Sequence, residues 1–430
     1  MARAARLVNR CAALPKRNRP LRGLTFPLLP GGVPSWTRRI LAARALRAFA
    51  DGALAVLLPA YLVALGMSLL DVGLISTATL AGSAAATLAI GAWAGSVRRK
   101  RLLAVAALLM AATGLAFASL SGFWPLAIVA FVGTLNPSSG DVSIFLPLEQ
   151  AELAGAVAAA QARTALYARY TLAGSLFAAL GALAAAAPAW LSTHTAIAPL
   201  GALRLMFVGY GLIGAVVWIL YRGVAEPARA DGGAGGAPDE KLGPSRAVVL
   251  RLAALFSVDS FASGLLVNSM LSAWLIARFG MSLASTGEFF FWAGLLSTAS
   301  QLLAPPLARR IGLLRTMVFT HIPASLFLIA AALSGHVIAA LALLLARSAL
   351  SQMDVPARTA FVMAVVTPPE RVAAASFTAV PKSLAAAMAP TVSGLLLAGG
   401  WLAAPLLACG ILKIGYDLSL LAAFRHHEAA

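Results

Sequence analysis

Residues 102–120 (LLAVAALLMAATGLAFASL) form an apolar run without a single charged side chain. A helix needs about 20 such residues to cross the roughly 30 Å of hydrocarbon in a bilayer. Backbone groups in lipid must bond within their own segment, so runs of this length predict helices and exclude barrel strands. The chain is 60% hydrophobic and 11% charged, whereas soluble domains are about 45–50% apolar and about 25% charged. The sequence predicts an all-α polytopic membrane protein embedded in a lipid bilayer.

Apolar runs recur along the chain, and one long polar segment divides them six and six. The predicted spans are 40–65, 70–94, 102–121, 123–147, 164–188, 199–221, 248–277, 286–308, 313–334, 336–362, 372–398 and 401–424. The polar segment is rich in Gly, Pro and mixed charges, which is typical of a flexible linker. The predicted organisation is a basic tail (1–39), a six-helix bundle (40–221), the linker (222–247), a second six-helix bundle (248–424) and a short tail (425–430).

Basic residues account for the net charge of +18 and concentrate beside alternate spans. Nine Lys or Arg lie in residues 1–39 without an acid, and others form RRKR (98–101) and RRIGLLR (309–315). Cytoplasmic flanks carry such residues, so both termini are expected in the cytoplasm, with a bacterial inner membrane as the expected location. A nucleic-acid partner would need a soluble basic face, and none is expected.

The segment 1–39 lacks an uninterrupted apolar core and does not form a conventional secretory signal. It is Arg-rich and acid-free, which leaves a disordered cytoplasmic tail, a start codon placed too far upstream and an organellar transit peptide as alternatives. Cys11 and Cys409 lie near opposite ends of the chain, so no disulfide framework is expected.

The tetrapeptide Gly-Met-Ser-Leu occurs at positions 66–69 and again, half a chain length later, at positions 280–283. Two further landmarks repeat at nearly the same offset: an Asp-Val pair in the fourth span of each half, at Asp141 and Asp354, and the basic loop after each second span. A period of half the chain indicates a duplicated six-helix unit. In that unit Gly66 corresponds to Gly280, and Asp141 corresponds to Asp354.

This organisation resembles the major facilitator superfamily over residues 40–424. Transporters of that family join two six-helix halves by a linker and bind substrate between them near the midplane. The family motif after the second helix reads Gly, three residues, Asp, a basic residue, one residue, Gly and then basic residues. The positions that match it, in its two copies, are Gly91, Arg99, Lys100, Arg101, Gly312 and Arg315. The positions that depart from it are Gly95, Ser96, Arg98 and Arg309.

The departures remove the Asp of the motif, so the charge latch that it forms between the halves is not expected. The segment PPER (368–371) resembles a Pro-rich element common in the family before the eleventh helix. The Pro-Gly signature of family antiporters is absent from the fifth span, TLAGSLFAALGALAA.

An ionisable side chain inside a spanning helix costs a few kcal/mol on insertion scales, so each one is a functional candidate. Asp51 has Arg47 one turn before it, and the two can neutralise one another. Asp259 has no basic residue three or four positions away. A carboxylate without a neutralising neighbour suits a proton carrier, so Asp259 is the predicted coupling site, with Asp51 as the alternative.

Two arginines are candidate anchors for an anion or substrate. Arg347 has no acidic residue within one turn, and Arg169 resembles it, with Tyr167 and Tyr170 beside it to shape a pocket. Both arginines are expected to face a central cavity.

The remaining candidates are charged residues near helix ends or in opposite-charge pairs. Asp141 and Asp354 are expected near the cytoplasmic ends of their spans, where Asp354 and Arg358 are one turn apart. Either a structural network at the helix end or a substrate contact fits them. The set is completed by Lys382, Lys413 and Asp417. The last two are spaced i,i+4 and are expected to form a structural pair.

No nucleotide-binding loop, HExxH sequence, zinc-ligand spacing or nucleophile elbow is present in the sequence. No cofactor, metal site or enzyme activity is therefore expected. The predicted function is secondary transport of a small organic solute by alternating access, with H+ as a candidate second partner. Efflux of an organic compound is the favoured direction because the cavity candidates are mostly apolar with scattered charges. The alternatives are an uptake permease for an organic anion and a membrane-embedded receptor or enzyme without transport. A monomer is expected.

Overall fold

The computed structural model describes residues 33–93, 97–138, 143–156, 160–224, 243, 245–367 and 370–424. In the N-terminal half, the helices of this described part are α1 (Thr37–Ala64), α2 (Leu69–Trp93), α3 (Arg99–Ser119), α4 (Phe123–Val132), α5 (Phe145–Gly155), α6 (Ala160–Leu183), a 3-10 turn (Ala184–Ala186), α7 (Ala187–His194) and α8 (Pro199–Arg222). In the C-terminal half they are α9 (Arg246–Gly264), α10 (Asn268–Phe279), α11 (Leu283–Ile311), α12 (Leu313–Leu333), α13 (Val337–Leu350), α14 (Asp354–Val365), α15 (Arg371–Ala398) and α16 (Ala404–Phe424). No strand occurs among these residues.

Ten helical segments of the described chain are long and apolar enough to cross a membrane. The two other predicted spans correspond to the short apolar helix α4, continued by α5, and to the long helix α11. The prediction of an all-α polytopic membrane protein is confirmed.

Three spans predicted as continuous helices are interrupted. The fourth is broken between α4 and α5, the seventh between α9 and α10, and the tenth between α13 and α14. In the tenth span, Pro356 has no N–H to donate to the carbonyl of Gln352, so the helix restarts with the proline in its first turn. In the fourth span, Pro137 lies in the interruption.

The duplicated Gly-Met-Ser-Leu sequence has the same local structure in both halves. Gly66 and Gly280 both have positive φ, 87° and 63°, which an L side chain rarely adopts. After α1, the N–H of Met67 bonds to Leu62 O and the N–H of Gly66 to Val63 O, as in a Schellman C-cap. The glycine ends one helix, and the serine two residues later begins the next.

The serine of each copy caps the following helix. Ser68 Oγ accepts from the N–H of Asp71, whose carboxylate accepts from the N–H of Ser68 at 2.8 Å. Ser282 Oγ accepts from the N–H of Ser285 at 3.1 Å. The cap is reciprocal at Ser68 and single at Ser282. Both caps provide hydrogen-bond acceptors for backbone N–H groups in the first turn of a helix, which have no partner within the helix. The tetrapeptide therefore encodes a tight helix–helix turn, which explains its presence at equivalent places.

Each half is packed internally, and the halves meet along a few helices. Within the N-terminal half, α1 packs on α6 and α8, α3 on α8, and α2 on α4. Within the C-terminal half, α9 packs on α15 and α16, and α12 on α13, α14 and α16. Between the halves, α2 packs on α15, α6 on α11, and α1 on α10.

We call the end of the bundle that carries the starts of α1 and α9 the terminal face, and the end that carries Gly66 and Gly280 the far face. Near the far face the halves are joined by hydroxyl and backbone hydrogen bonds. Thr391 Oγ1 donates to Thr77 Oγ1 at 2.8 Å, and Ser272 Oγ donates to Val56 O at 2.9 Å. Ser269 reaches Ser76 Oγ at 3.1 Å and, through its N–H, Pro137 O at 3.0 Å.

At the terminal face, outside the spans, Glu370 of the PPER segment ties the start of α9 to the loop before α15. Its carboxylate accepts from the N–H groups of Gly243 and Ser245 and from Thr367 Oγ1. These hydrogen bonds lower the pKa of Glu370. Glu370 therefore holds the chain where it enters the second half.

The close contact of α2 with α15 depends on Gly73. A Cβ atom at Gly73 would collide with Pro390 O and would lie 3.0 Å from the Cα of Gly394. Gly73→Ala should force the helices apart and destabilise the protein by about 1–3 kcal/mol, as overpacking does. The measurement is the melting temperature of purified protein.

Gly209→Ala is the matched control, because Gly209 also lies in a helix and has open space where its Cβ would be placed. Gly73→Ala should melt below both the wild type and this control. Equal melting temperatures for the two variants would contradict the close α2–α15 contact.

Candidate functional site

A cavity of about 500 Å³ lies between the two halves. Helices α1, α2 and α6 line it from the N-terminal half, and α9 to α16 line it from the C-terminal half. The helix interruptions reach it as well, through Ser138 after α4 and through Leu266 and Val267 before α10. Interrupted helices at a central cavity expose backbone groups that can contact a solute.

The cavity lining combines apolar and charged side chains, and most of the charged ones belong to the C-terminal half. Val56 and Leu80 contribute apolar surface from the first half, and Phe289 and Phe290 contribute two rings from α11. The described charged lining residues are five cations and two carboxylates: Arg44, Arg347, Arg358, Lys382, Lys413, Asp259 and Asp354. With His321 neutral, these seven give a net charge of +3, a potential that attracts anions.

Asp259 lies at the centre of an ionic network in the C-terminal half and is buried. Its Oδ1 is 2.7 Å from Lys413 Nζ, and its Oδ2 is 3.0 Å from a terminal nitrogen of Arg358. The prediction that Asp259 lacks a neutralising partner is therefore wrong. Both partners lie far along the chain, on α14 and α16, where a search for neighbours one helical turn away cannot find them.

The predicted i,i+4 pair of Lys413 and Asp417 is replaced by contacts with other helices. Besides Asp259, Lys413 Nζ contacts Ser263 Oγ at 2.8 Å and His321 Nε2 at 3.2 Å. Asp417 pairs with the other ring nitrogen, His321 Nδ1, at 3.0 Å. His321 thus lies between the two residues and connects them.

Arg358 and Asp354 form an ion pair one turn apart, as their spacing suggests. Arg358 also bonds Asp259 and lies over the ring of Phe256, 5.5 Å from its centroid. Both members of the pair line the cavity. The network therefore runs without interruption from Asp417 on α16 to Asp354 on α14.

Arg347 and Lys382 differ from these residues because neither has an ion-pair or hydrogen-bond partner for its cationic group among the described residues. Both line the cavity and are partly buried, Arg347 at the end of α13 and Lys382 on α15. Arg347 lies where the sequence analysis expected it.

Arg169 does not line the cavity, contrary to expectation. Its guanidinium donates to Ala165 O on its own helix at 3.3 Å. The tyrosines expected to shape a pocket beside it are engaged elsewhere: Tyr167 donates to Gln150 O and Tyr170 to Glu149. Both tyrosines thus contact adjacent residues of α5, and neither shapes a pocket around Arg169.

In the N-terminal half, Arg47 bonds Glu149 and not its predicted partner Asp51. The same Glu149 carboxylate accepts from Tyr170 and from Tyr221, each at 2.5 Å. Glu149 is fully buried and links α5 to α1, α6 and α8. Asp51 is buried near Arg47, Arg44 and Tyr210. The prediction that Arg47 and Asp51 neutralise one another as a pair is therefore wrong in one respect, because the ion pair of Arg47 is with Glu149.

The other candidate positions lie away from the cavity. Gly91 lies in α2, the basic residues Arg99, Lys100 and Arg101 begin α3, and Gly312 separates α11 from α12 with a φ of 92°. Arg315 follows in the first turn of α12. Asp141, predicted to correspond to Asp354, lies outside the described residues.

Sequence reasoning missed two residues on which the clusters depend. His321 lies in the interior of the apolar span 313–334, whose one other ionisable residue, Arg315, is in the first turn, so the rule applied to the intramembrane carboxylates would have identified it. Glu149 was assigned to a connection because the fourth span was taken to end at residue 147. No local pattern indicated that it lies among three other helices.

Comparison with known proteins places this geometry in a family. A sequence model described as the Major Facilitator Superfamily matches residues 40–350. An uncharacterized membrane protein of Saccharomyces cerevisiae is 24% identical over 411 residues, which cover 88% of this chain and 92% of that protein.

Two solved structures share the fold. The nucleoside transporter NupG superposes with a TM-score of 0.68 at 13% identity, over 91% of this chain and 100% of that one. The xylose transporter XylE from E. coli also gives 0.68, at 14% identity, over 89% and 95% of the two chains.

Replacing Asp259 should expose how far the network depends on it. Asp259→Asn leaves Lys413 buried without its carboxylate, and removing one partner of a buried ion pair costs roughly 3–5 kcal/mol. We expect a clear fall in the melting temperature of the purified protein. Lys413→Met added to Asp259→Asn should recover part of the loss, because the uncompensated charge is then gone.

Glu288→Gln, at an exposed carboxylate, serves as the control and should leave the melting temperature unchanged. A double variant that melts below Asp259→Asn would show that Lys413 and Asp259 do not depend on each other.

Proposed function

Because this chain belongs to the Major Facilitator Superfamily, a family of membrane transporters, we propose that it moves a small organic anion across a membrane by alternating access. Transport of some solute follows from the family. The anionic cargo is our inference, and the observation that carries it is the pair of cavity cations, Arg347 and Lys382, neither of which has an ion-pair or hydrogen-bond partner for its cationic group among the described residues.

A cation held in a low-dielectric cavity is costly unless an opposite charge accompanies it. Arg358 and Lys413 form ion pairs with carboxylates of the protein. Arg347 and Lys382 line the same cavity without a carboxylate within ion-pair distance in the described part of the chain. An anionic cargo would supply the missing charge, and a guanidinium can bind a carboxylate through two parallel hydrogen bonds.

The apolar surface of the cavity indicates what accompanies the anionic group. The rings of Phe289 and Phe290 and the side chains of Val56 and Leu80 can pack against a hydrocarbon or aromatic body. A volume of about 500 Å³ falls in the range of roughly 300–1,000 Å³ of small-molecule sites. The proposed cargo is therefore an amphipathic organic acid.

Closure at one face supports alternating access. The hydroxyl contacts and the Gly73 contact join the halves near the far face. The positive-inside pattern supports a cytoplasmic terminal face, and in that orientation this structure would be closed to the outside. The two bundles, divided by the linker 222–247, would then rock against each other around the cavity.

The charge of the cavity bears on the choice between efflux of an organic compound and uptake of an organic anion. The cationic groups of Arg347 and Lys382 support the anionic cargo of the second alternative, and the direction of transport stays a prediction. Location in a bacterial inner membrane and a monomeric state remain predictions.

The proposal is tested by comparing anions with neutral compounds of the same shape. Benzoate and 2-naphthoate should raise the melting temperature of the purified protein, and benzamide and 2-naphthamide should not. Arg347→Ala and Lys382→Ala should each weaken anion binding, measured by calorimetry, by about tenfold or more, because a hydrogen bond to a charged group contributes about 1.5–3 kcal/mol.

Arg309→Ala, at an exposed arginine on the terminal face, is the control for a general loss of positive charge and should bind both anions as the wild type does. Equal binding of the acids and amides, or unchanged anion affinity in both cavity variants, would contradict the proposal.

A further inference from the structure

The hydrogen bonds of His321 fix the position of its single proton. Lys413 Nζ lies 3.2 Å from His321 Nε2, and an ammonium group can only donate hydrogen bonds. Nε2 must therefore be the acceptor, and the proton of the neutral ring lies on Nδ1. From there it is donated to Asp417, whose carboxylate oxygens lie 3.0 and 3.1 Å away.

Lys413 uses all three of its N–H donors in this arrangement. They go to Asp259 Oδ1 at 2.7 Å, to Ser263 Oγ at 2.8 Å and to His321 Nε2. The lone pair on Nε2 is thus occupied by Lys413. A proton arriving from solvent would need the same lone pair and would set a second positive charge against the ammonium group. Proton binding and the Lys413–His321 hydrogen bond therefore exclude each other.

The surroundings of His321 favour it over Asp259 as the group that exchanges a proton. From α16 it faces Lys413, Asp417 and the ring of Tyr416, 6.2 Å away between centroids. From α9, Asp259 Oδ1 lies 3.9 Å from Nε2, and from α14 the charges of Asp354 and Arg358 act on the same cluster.

No charged side chain of α11 or α13 is within ion-pair distance of His321 in the described residues. A protonated ring would therefore keep carboxylates at both nitrogens. Asp259, in contrast, already forms ion pairs with two cations, Arg358 and Lys413, which stabilise its charged carboxylate.

We propose that His321 is the binding site of a coupling proton, and that the proton and the anionic cargo bind together. A proton that bonds to Nε2 breaks the hydrogen bond from Lys413 and frees one N–H of its ammonium group. Lys413 lines the cavity with Arg347 and Lys382, so the freed N–H is available to an anion there. This inference rests on the proposed function. It adds the coupling ion and the statement that this ion moves in the same direction as the cargo.

The balance of charges also predicts that the proton and the anion bind together. A proton on His321 adds one positive charge beside the cavity, and a monovalent anion compensates it. Each ligand then increases the affinity for the other, and this coupling is reciprocal by thermodynamic necessity. The coupling is therefore symport of a proton with an organic anion, whereas an antiporter would require the two to compete.

Proton uptake on anion binding tests the proposal directly. Benzoate or 2-naphthoate is added to purified protein in weakly buffered solution near neutral pH, with a pH-indicator dye. The wild type should take up as much as one proton per anion bound, and its anion affinity should fall as the pH rises. His321→Gln should bind the anion without proton uptake and with no such pH dependence.

His321→Gln can keep both neutral hydrogen bonds, since its amide oxygen can accept from Lys413 and its amide nitrogen can donate to Asp417. His336→Gln, at an exposed histidine before α13, is the matched control and should behave as the wild type does. Proton uptake that survives in His321→Gln, or proton release on anion binding by the wild type, would overturn the proposal.

A nitrogen-15 NMR spectrum of histidine-labelled protein makes the test independent of any variant's activity. The ring of His321, assigned by its loss in His321→Gln, should carry its proton on Nδ1 at neutral pH and should become doubly protonated when benzoate is added. A proton on Nε2 in the anion-free protein overturns the proposal.

The two hypotheses fail in different ways. If the wild type binds neither anion in calorimetry, the proposed function and the symport that rests on it are both refuted. If it binds them without taking up a proton, only the coupling through His321 is refuted.

Discussion

The desolvation of charge is the constraint on which this structure depends. An ion moved from water into a low-dielectric bundle loses several kcal/mol of solvation unless opposite charges and hydrogen bonds replace the water. Here the replacement comes from distant helices. Glu149 gathers Arg47 and two tyrosines in one half, and Asp259 gathers Lys413 and Arg358 in the other.

This pairing ties helices together within each half. The Glu149 cluster joins four helices of the N-terminal half, and the Asp259 network joins α9, α12, α14 and α16 of the C-terminal half. Between the halves, the contacts described near the far face are hydroxyl bonds and close glycine packing. Neutral hydrogen bonds contribute only about 0.5–1.5 kcal/mol each. Rigid bundles joined by weaker contacts suit a motion in which the halves move as bodies.

The cavity shows where charge compensation within the protein stops. The network provides carboxylate partners for Arg358 and Lys413. Arg347 and Lys382 line the same cavity, and neither has an ion-pair partner among the described residues. A surplus of positive charge in a site of this size is useful if the cargo is negative. The hydrogen bond between Lys413 and His321 then connects cargo binding to a proton, because one lone pair cannot serve an ammonium group and a proton together.

The sequence by itself determined the membrane spans and their order, but not the interruptions within three of them. Uncharged runs of about 20 residues permit only spanning helices in lipid. The Gly-Met-Ser-Leu repeat marked equivalent turns, because a positive φ requires glycine and a helix start favours serine. Arg347 could be placed at the cavity since it has no acidic neighbour on its own helix.

The tertiary structure alone decided the partners of the buried charges. Asp259 on α9 finds Arg358 on α14 and Lys413 on α16, and Arg47 on α1 finds Glu149 on α5. A one-turn search sees only the neighbours on one helix, whereas the pairs form between helices that packing brings together. His321 is the clearest case: its apolar span marked it as unusual, but only the approach of α9 and α16 to α12 gives it Asp259, Asp417 and Lys413 as neighbours. The chemistry of the site lies in those contacts between helices, and no local pattern encodes them.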